Sequence, residues 1–129
     1  MKVSERILAE RLIEQLHSAR LGGDLAGMCS VFAGAGRFEI LGASADKPIA
    51  IRAANLAEFR PWLAMLVKVF RLTNYQLLSL TVEMPRAVAH WRVDIFSKVT
   101  GATVPTELVD VLHIEAERIA AYTEFFAPR

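Results

Sequence analysis

Halfway along this chain the spacing of its apolar residues changes from a period near 3.6 to a period of 2, and it changes only once. Helices followed by a run of strands predict an α+β fold, with the helices covering one face of an antiparallel sheet. In the first half, Ser4 is placed to cap a helix that carries Leu8, Leu12 and Leu16 at i+4 spacing, with Ile7 and Ile13 beside them. Gly22 and Gly23 break that helix, and Asp24 is placed to cap the next. Leu25, Met28, Cys29 and Phe32 then follow the stripe of a buried helix face, ended by Gly34 and Gly36. A short strand is expected at 37–41, followed by a loop of Gly, Ser, Ala and Asp. Asn55 and Glu58 have capping-box spacing, yet Pro61 falls inside the helix they would open. A helix from Asn55, or a turn there and a fresh helix near Pro61, both fit the pattern. Leu63, Leu66, Val67 and Phe70 form its apolar stripe.

The second half predicts strands at 75–83, 87–98, 103–115 and 119–126, punctuated by Met84-Pro85-Arg86 and Thr100-Gly101. Alternation separates Trp91, Val93 and Ile95 from His90, Arg92 and Asp94, and the apolar set should meet the helices. Asp110, Leu112 and Ile114 share one face of the next strand, and Tyr122, Glu124 and Phe126 share one face of the last. A three-residue loop at Ala116-Glu117-Arg118 would pair Glu115 with Ile119, Leu112 with Tyr122 and Asp110 with Glu124. Two carboxylates then face each other with Cβ atoms about 5 Å apart. Shielded from water, such a pair cannot both ionise cheaply, so one should hold a proton near neutral pH.

Composition narrows the function. The chain has 129 residues, 53% of them hydrophobic, enough for one domain (1–129) with a sizeable core. Fifteen basic residues against fourteen acidic ones, without a basic run, offer no footprint for nucleic acid. The longest uncharged run, Leu25 to Gly36, is too short to span a bilayer. The first residues are charged from Lys2 onward and carry no signal-peptide pattern, so a cytoplasmic protein is expected. The single Cys29 permits neither an intrachain disulfide nor a cysteine zinc site. His17, His90 and His113 lack metal-ligand spacing, so neither a metal nor another cofactor is expected.

Several local strings resemble the nuclear transport factor 2-like superfamily, in its SnoaL-like and ketosteroid-isomerase-like branch. They are Gly23-Asp24-Leu25, Val31-Phe32-Ala33, and Val109 to Ile114 running into Arg118 to Phe126. The resemblance implies a cone-shaped curved sheet wrapped over N-terminal helices, a conical pocket open at one end, and a homodimer. Matched by motif to the ketosteroid isomerases, the family tyrosine falls at Leu16, the base at Ile40 and the protonated aspartate at Asp110. Two of those three positions are apolar, which excludes steroid isomerisation by that mechanism. The resemblance places Asp110, Tyr122, Glu124 and Phe126 inward, and lines the pocket with Leu16, Phe38, Ile40, Trp91, Val93, Ile95 and Leu112. So apolar a wall suits a small hydrophobic or aromatic molecule held by few polar groups.

The chemistry-bearing residues admit two readings. Asp110 and Glu124, with Tyr122 orienting the substrate, could serve a metal-independent isomerase, cyclase or dehydratase. They could equally be a structural pair satisfied by Tyr122, backbone or water, inside a non-catalytic binding or accessory protein. Trp91 reads as wall, and His17 as a solvated histidine at a helix end. His90, Arg92, Asp94 and Glu107 read as one solvated charged network. Phe96, Val109, Val111 and Phe125 scatter apolar surface over the outer sheet face, read as a dimer interface.

Overall fold

The computed structural model describes residues 3–44 and 47–129. Its elements run α1 (Val3–Leu21), α2 (Leu25–Cys29), β1 (Phe32–Ser44), β2 (Lys47–Ala53), α3 (Leu56–Val69), β3 (Phe70–Glu83), β4 (Arg86–Ser97), β5 (Thr103–Glu115) and β6 (Arg118–Pro128). The six strands form one sheet in the order β2-β1-β6-β5-β4-β3, with α1 and α3 packed on it and α2 packed against those two helices. Every neighbouring pair is antiparallel except β1 and β6, which run parallel. That exception is possible because β2, α3 and β3 to β5 separate them in sequence, ample length for a crossover.

Local signals explain most boundaries. Asp24 caps α2, accepting from the Gly27 N–H at 3.0 Å. Asn55 caps α3 through the Glu58 N–H, and Glu58 returns a bond from Ala54 N–H, so α3 starts at the capping box and tolerates Pro61 in its second turn. Phe70 leaves that helix and opens β3.

Three expectations are corrected. Phe32 is not on a helix: α2 stops at Cys29, and Phe32 begins β1, its ring 5.0 Å from Phe38, 5.7 Å from Phe59 and 5.4 Å from Tyr122. Gly36 does not end a helix either. It lies in β1 beside β6, where a Cβ would come within 2.5 Å of the Ala120 carbonyl oxygen, so glycine here serves close strand approach. The loop expected after residue 41 is instead the end of β1 and the start of β2, in which Ile49, Ile51 and Ala53 alternate inward; its Ala45 and Asp46 lie outside the described residues.

The last hairpin reaches the expected register by another route. Its turn has two residues, Ala116 (φ 48°) and Glu117 (φ 61°), closing a Glu115–Arg118 pair. A bulge then places Ala120 as an extra residue, after which Leu112 faces Tyr122 and Asp110 faces Glu124. The missing turn residue and the extra strand residue cancel. Two consecutive left-handed residues define a type I′ turn that favours Asn-Gly. Ala116→Asn with Glu117→Gly is therefore expected to raise stability by about 1 kcal/mol, read as the midpoint of urea unfolding.

Candidate active site

One helix stripe and two facing strand residues build the site. On α1, Ile13, Leu16, His17 and Arg20 fall at i, i+3, i+4 and i+7, so the stripe that begins apolar carries a histidine and an arginine into the interior. His17 is only 2% exposed, which corrects its reading as a solvated helix-end residue. Asp110 on β5 and Glu124 on β6 project from directly opposed positions, and both are fully buried.

These groups are joined by short polar contacts. His17 Nε2 lies 2.9 Å from Asp110 Oδ2, and His17 Nδ1 lies 2.6 Å from the Tyr75 hydroxyl. With Asp110 ionised, Nε2–H donates to the carboxylate and the Tyr75 O–H donates to Nδ1. Arg20 Nη1 donates to Glu124 Oε1, and Tyr122 O–H donates to the same oxygen at 3.3 Å. Trp91 packs under both polar side chains of α1, its ring 4.3 Å from the His17 ring and 5.4 Å from the Arg20 guanidinium carbon, the latter a cation–π contact. Two buried atoms here have no protein partner among the described residues, Asp110 Oδ1 and Trp91 Nε1.

Electrostatics follow from this burial. Burial raises the Glu124 carboxyl above the usual carboxylate range; Arg20 pulls it back down, and Asp110 raises it further. Burial opposes the charge on Arg20, but Glu124, Tyr122 and Asp110 together outweigh that and make the guanidinium hold its proton more firmly. Burial first, then Asp110, raises Tyr122 well above its ordinary value, so it is a neutral donor. Partial burial and then Asp110 push Tyr75 up to about 12.

A cavity of about 610 Å³ opens on the inner face of the sheet, within the usual size of a small-molecule site. Arg20 and Glu124 are on its wall, with Ile40, Ile95 and Phe126 from the expected lining, together with the end of α3 and the β4–β5 hairpin. Phe126 lies flat on β1 because Gly42 has no Cβ, which would stand 2.6 Å from its ring. Leu16, Phe38, Trp91, Val93 and Leu112 do not line this cavity, which corrects the expected wall. They are buried in the packed core behind it, because the α1 stripe and the Phe32, Phe38, Phe59 and Tyr122 rings fill the narrow end. Asp110 and Tyr122 also lie behind the wall, so Glu124 alone of the expected trio reaches the cavity. A second hollow of about 460 Å³ between α1 and β3 touches His17 and Tyr75 from the other side.

Sequence reading missed Arg20, His17 as an interior residue, and Tyr75. The signal for the first two was present: both continue the buried stripe through Ile13 and Leu16. Outside, His90 pairs with Glu107 at 3.5 Å, while Arg92 bonds Gln76 and Asp94 bonds Asn74, so the expected charged network is three separate pairs. Among the described residues no group of three His, Cys, Asp or Glu is arranged to hold a metal ion, and no helix is long and apolar enough to cross a membrane.

Comparison with known proteins bears on the fold and the family. Residues 10–122 match the family model described as a SnoaL-like domain. A search of curated proteins finds no significant match. Among solved structures, a protein of Bacillus subtilis named provisionally as an isomerase has a TM-score of 0.82 at 16% identity, covering 98% of this chain and 90% of that one. An LEH-like epoxide hydrolase from M. tuberculosis scores 0.74 at 12% identity, covering 94% and 84%. An NTF2-like protein from Burkholderia xenovorans LB400 scores 0.72 at 15% identity, covering 98% and 92%. At such identities the likeness is one of fold.

Proposed function

The chain belongs to the SnoaL-like domain family, and from that premise we propose that it binds a small apolar or aromatic carbonyl compound in the cavity and moves a proton on it, as an isomerase, cyclase or dehydratase does. The observation that carries this reading is Glu124: a buried carboxylate with a raised proton affinity, on the wall of an otherwise apolar cavity, beside a fixed cation. A carboxylate so placed is a stronger base than one in water, and its pKa moves toward the working pH.

The resemblance to ketosteroid isomerases puts their base at Ile40, where this chain has no proton acceptor. Ile40 is the parallel-strand partner of Glu124, so a carboxylate stands one strand over at the same level of the cone. In the proposed step Glu124 takes the proton from the carbon next to the substrate carbonyl. The electron pair moves onto the carbonyl oxygen, and the Arg20 N–H groups not held by Glu124 stabilise that oxyanion. Return of the proton to another carbon completes an isomerisation. Asp110, held by His17, acts through its charge on Glu124 and Tyr122 rather than by touching substrate.

2-Tetralone, an enolisable aromatic ketone, tests this in D2O. Wild-type protein should accelerate exchange of its α-protons over buffer, saturably, when followed by NMR. Saturable binding without exchange would remove the acid–base step and leave the alternative, a non-catalytic hydrophobic-ligand-binding protein, which the apolar Leu16 and Ile40 favour.

A homodimer through the outer sheet face belongs to the same proposal. Phe125 is exposed there and pairs across strands with Val109. Light scattering after size exclusion should give twice the chain mass for wild type and the chain mass for Phe125→Glu; a monomeric wild type would refute it.

A further inference from the structure

The polar side chains on the cavity wall can each be followed to their partners. Ser97 Oγ accepts from the Val99 and Thr100 N–H groups, Thr100 Oγ1 accepts from Ala102 N–H, and Thr106 Oγ1 donates to Val104 O, so these hydroxyls are engaged by their own stretch of chain. Glu124 is different. Both of its donors, Arg20 Nη1 and the Tyr122 O–H, are on Oε1. Among the described residues no donor reaches Oε2, yet the fully enclosed atoms without a partner are Asp110 Oδ1 and Trp91 Nε1, not this one. Glu124 lines the cavity, so Oε2 is the oxygen open to it. Arg20 is divided in the same way. Its Nη1 is spent on Glu124, while Nε and Nη2 are neither enclosed nor bonded to any described residue, on a side chain 12% exposed that lines the same cavity.

The wall therefore presents one anionic acceptor beside one cationic donor, set in apolar surroundings. A ligand that enters takes water away from both, and each must then find a partner on the ligand. A ketone answers the donor alone, and an amine answers the acceptor alone. A carboxylate would bring a second anion against Oε2. A neutral group with C=O and N–H on the same edge answers both without adding charge. An open-chain secondary amide is trans, with those two bonds pointing opposite ways, whereas a small ring holds them cis.

We infer that the cavity takes a lactam, a cyclic secondary amide on an apolar or aromatic frame, with its carbonyl on the free Arg20 N–H groups and its N–H on Glu124 Oε2. This rests on the cavity being the ligand site, as proposed above, and is independent of whether a proton is moved there. The lactam N–H occupies the place of the C–H that Glu124 would deprotonate in a ketone. The cavity, about 610 Å³, has room for a bicyclic frame.

Three bicyclic compounds of one shape test this by calorimetry in mildly alkaline buffer. 3,4-Dihydroquinolin-2(1H)-one, 2-tetralone and chroman-2-one carry N–H, CH2 and O at the same ring position beside the carbonyl. The lactam should bind wild type about tenfold tighter than 2-tetralone and displace it in competition, with chroman-2-one weakest because its ring oxygen faces a carboxylate. In Glu124→Gln the two donors on Oε1 hold the amide oxygen on their side and turn the NH2 toward the cavity. The lactam N–H then meets another donor, so its advantage over 2-tetralone should vanish. Lactam binding no tighter than that of chroman-2-one, no displacement of 2-tetralone, or an advantage that survives in Glu124→Gln overturns the inference and leaves the cavity reading intact. Failure of all three compounds to bind wild type overturns both.

Discussion

Replacing Arg20 by Met should cost about 3 kcal/mol of stability near pH 8, and much of that loss should return on acidification to about pH 5. The guanidinium, 12% exposed, is the partner of a carboxylate that is 1% exposed, so its removal strands a buried charge. The expected pH dependence follows from the direction of the Glu124 shift. A carboxyl whose pKa is raised on folding binds its proton more tightly in the native state. Between the unfolded and folded values the native state holds more protons, so stability falls as pH rises. Arg20 is the main influence lowering that folded value in the wild type. Without it the value rises further, the window widens, and the slope steepens toward its limit of about 1.4 kcal/mol per pH unit. Urea unfolding of wild type and Arg20→Met across this range measures the slope directly. The double variant Arg20→Met, Glu124→Leu should recover most of the loss, because an apolar pair of similar bulk replaces the ions. A loss independent of pH would mean that Glu124 does not carry the cost.

Glu124→Gln should reduce α-proton exchange on 2-tetralone by about 10²- to 10⁴-fold, while the Kd for the ketone changes only a few-fold. The amide keeps the shape of the wall and can still accept from Arg20, but it cannot take a proton. Asp110→Asn should behave differently, because Asp110 does not reach the cavity. Its charge raises the Glu124 carboxyl, so losing it lowers that value and moves the acid limb of the pH–rate profile to lower pH. A fall in rate without displacement of that limb would show that Asp110 acts only by holding His17 and the fold. An undiminished rate in Glu124→Gln would end the role assigned to Glu124.

Residues whose neighbours lie within a turn or two of chain were the legible ones. The capping pair Asn55 and Glu58, the Asp24 cap, the β5 limits and the alternation through Trp91 and Val93 all depend on local geometry. The facing of Asp110 and Glu124 was also legible, since a single hairpin sets it, although the turn and the bulge that set it compensate each other. The strand at β2 was readable from Ile49, Ile51 and Ala53, but its short alternation lies in a stretch that looks like loop by composition.

The sequence by itself determined the α+β order, the helix caps, the inward face of each late strand and the opposition of two acids on one hairpin. Only the tertiary structure decided which polar groups those acids meet, because α1 comes from the far end of the chain and β3 lies two strands away from β5. It put His17 and Tyr75 behind Asp110, and Arg20 on Glu124. It also decided what is wall and what is core. Leu16, Phe38, Trp91, Val93 and Leu112 point inward as alternation and periodicity require, yet periodicity reports only the direction of a side chain. Whether space or a packed neighbour lies at its end depends on how far the sheet curves away from the helices.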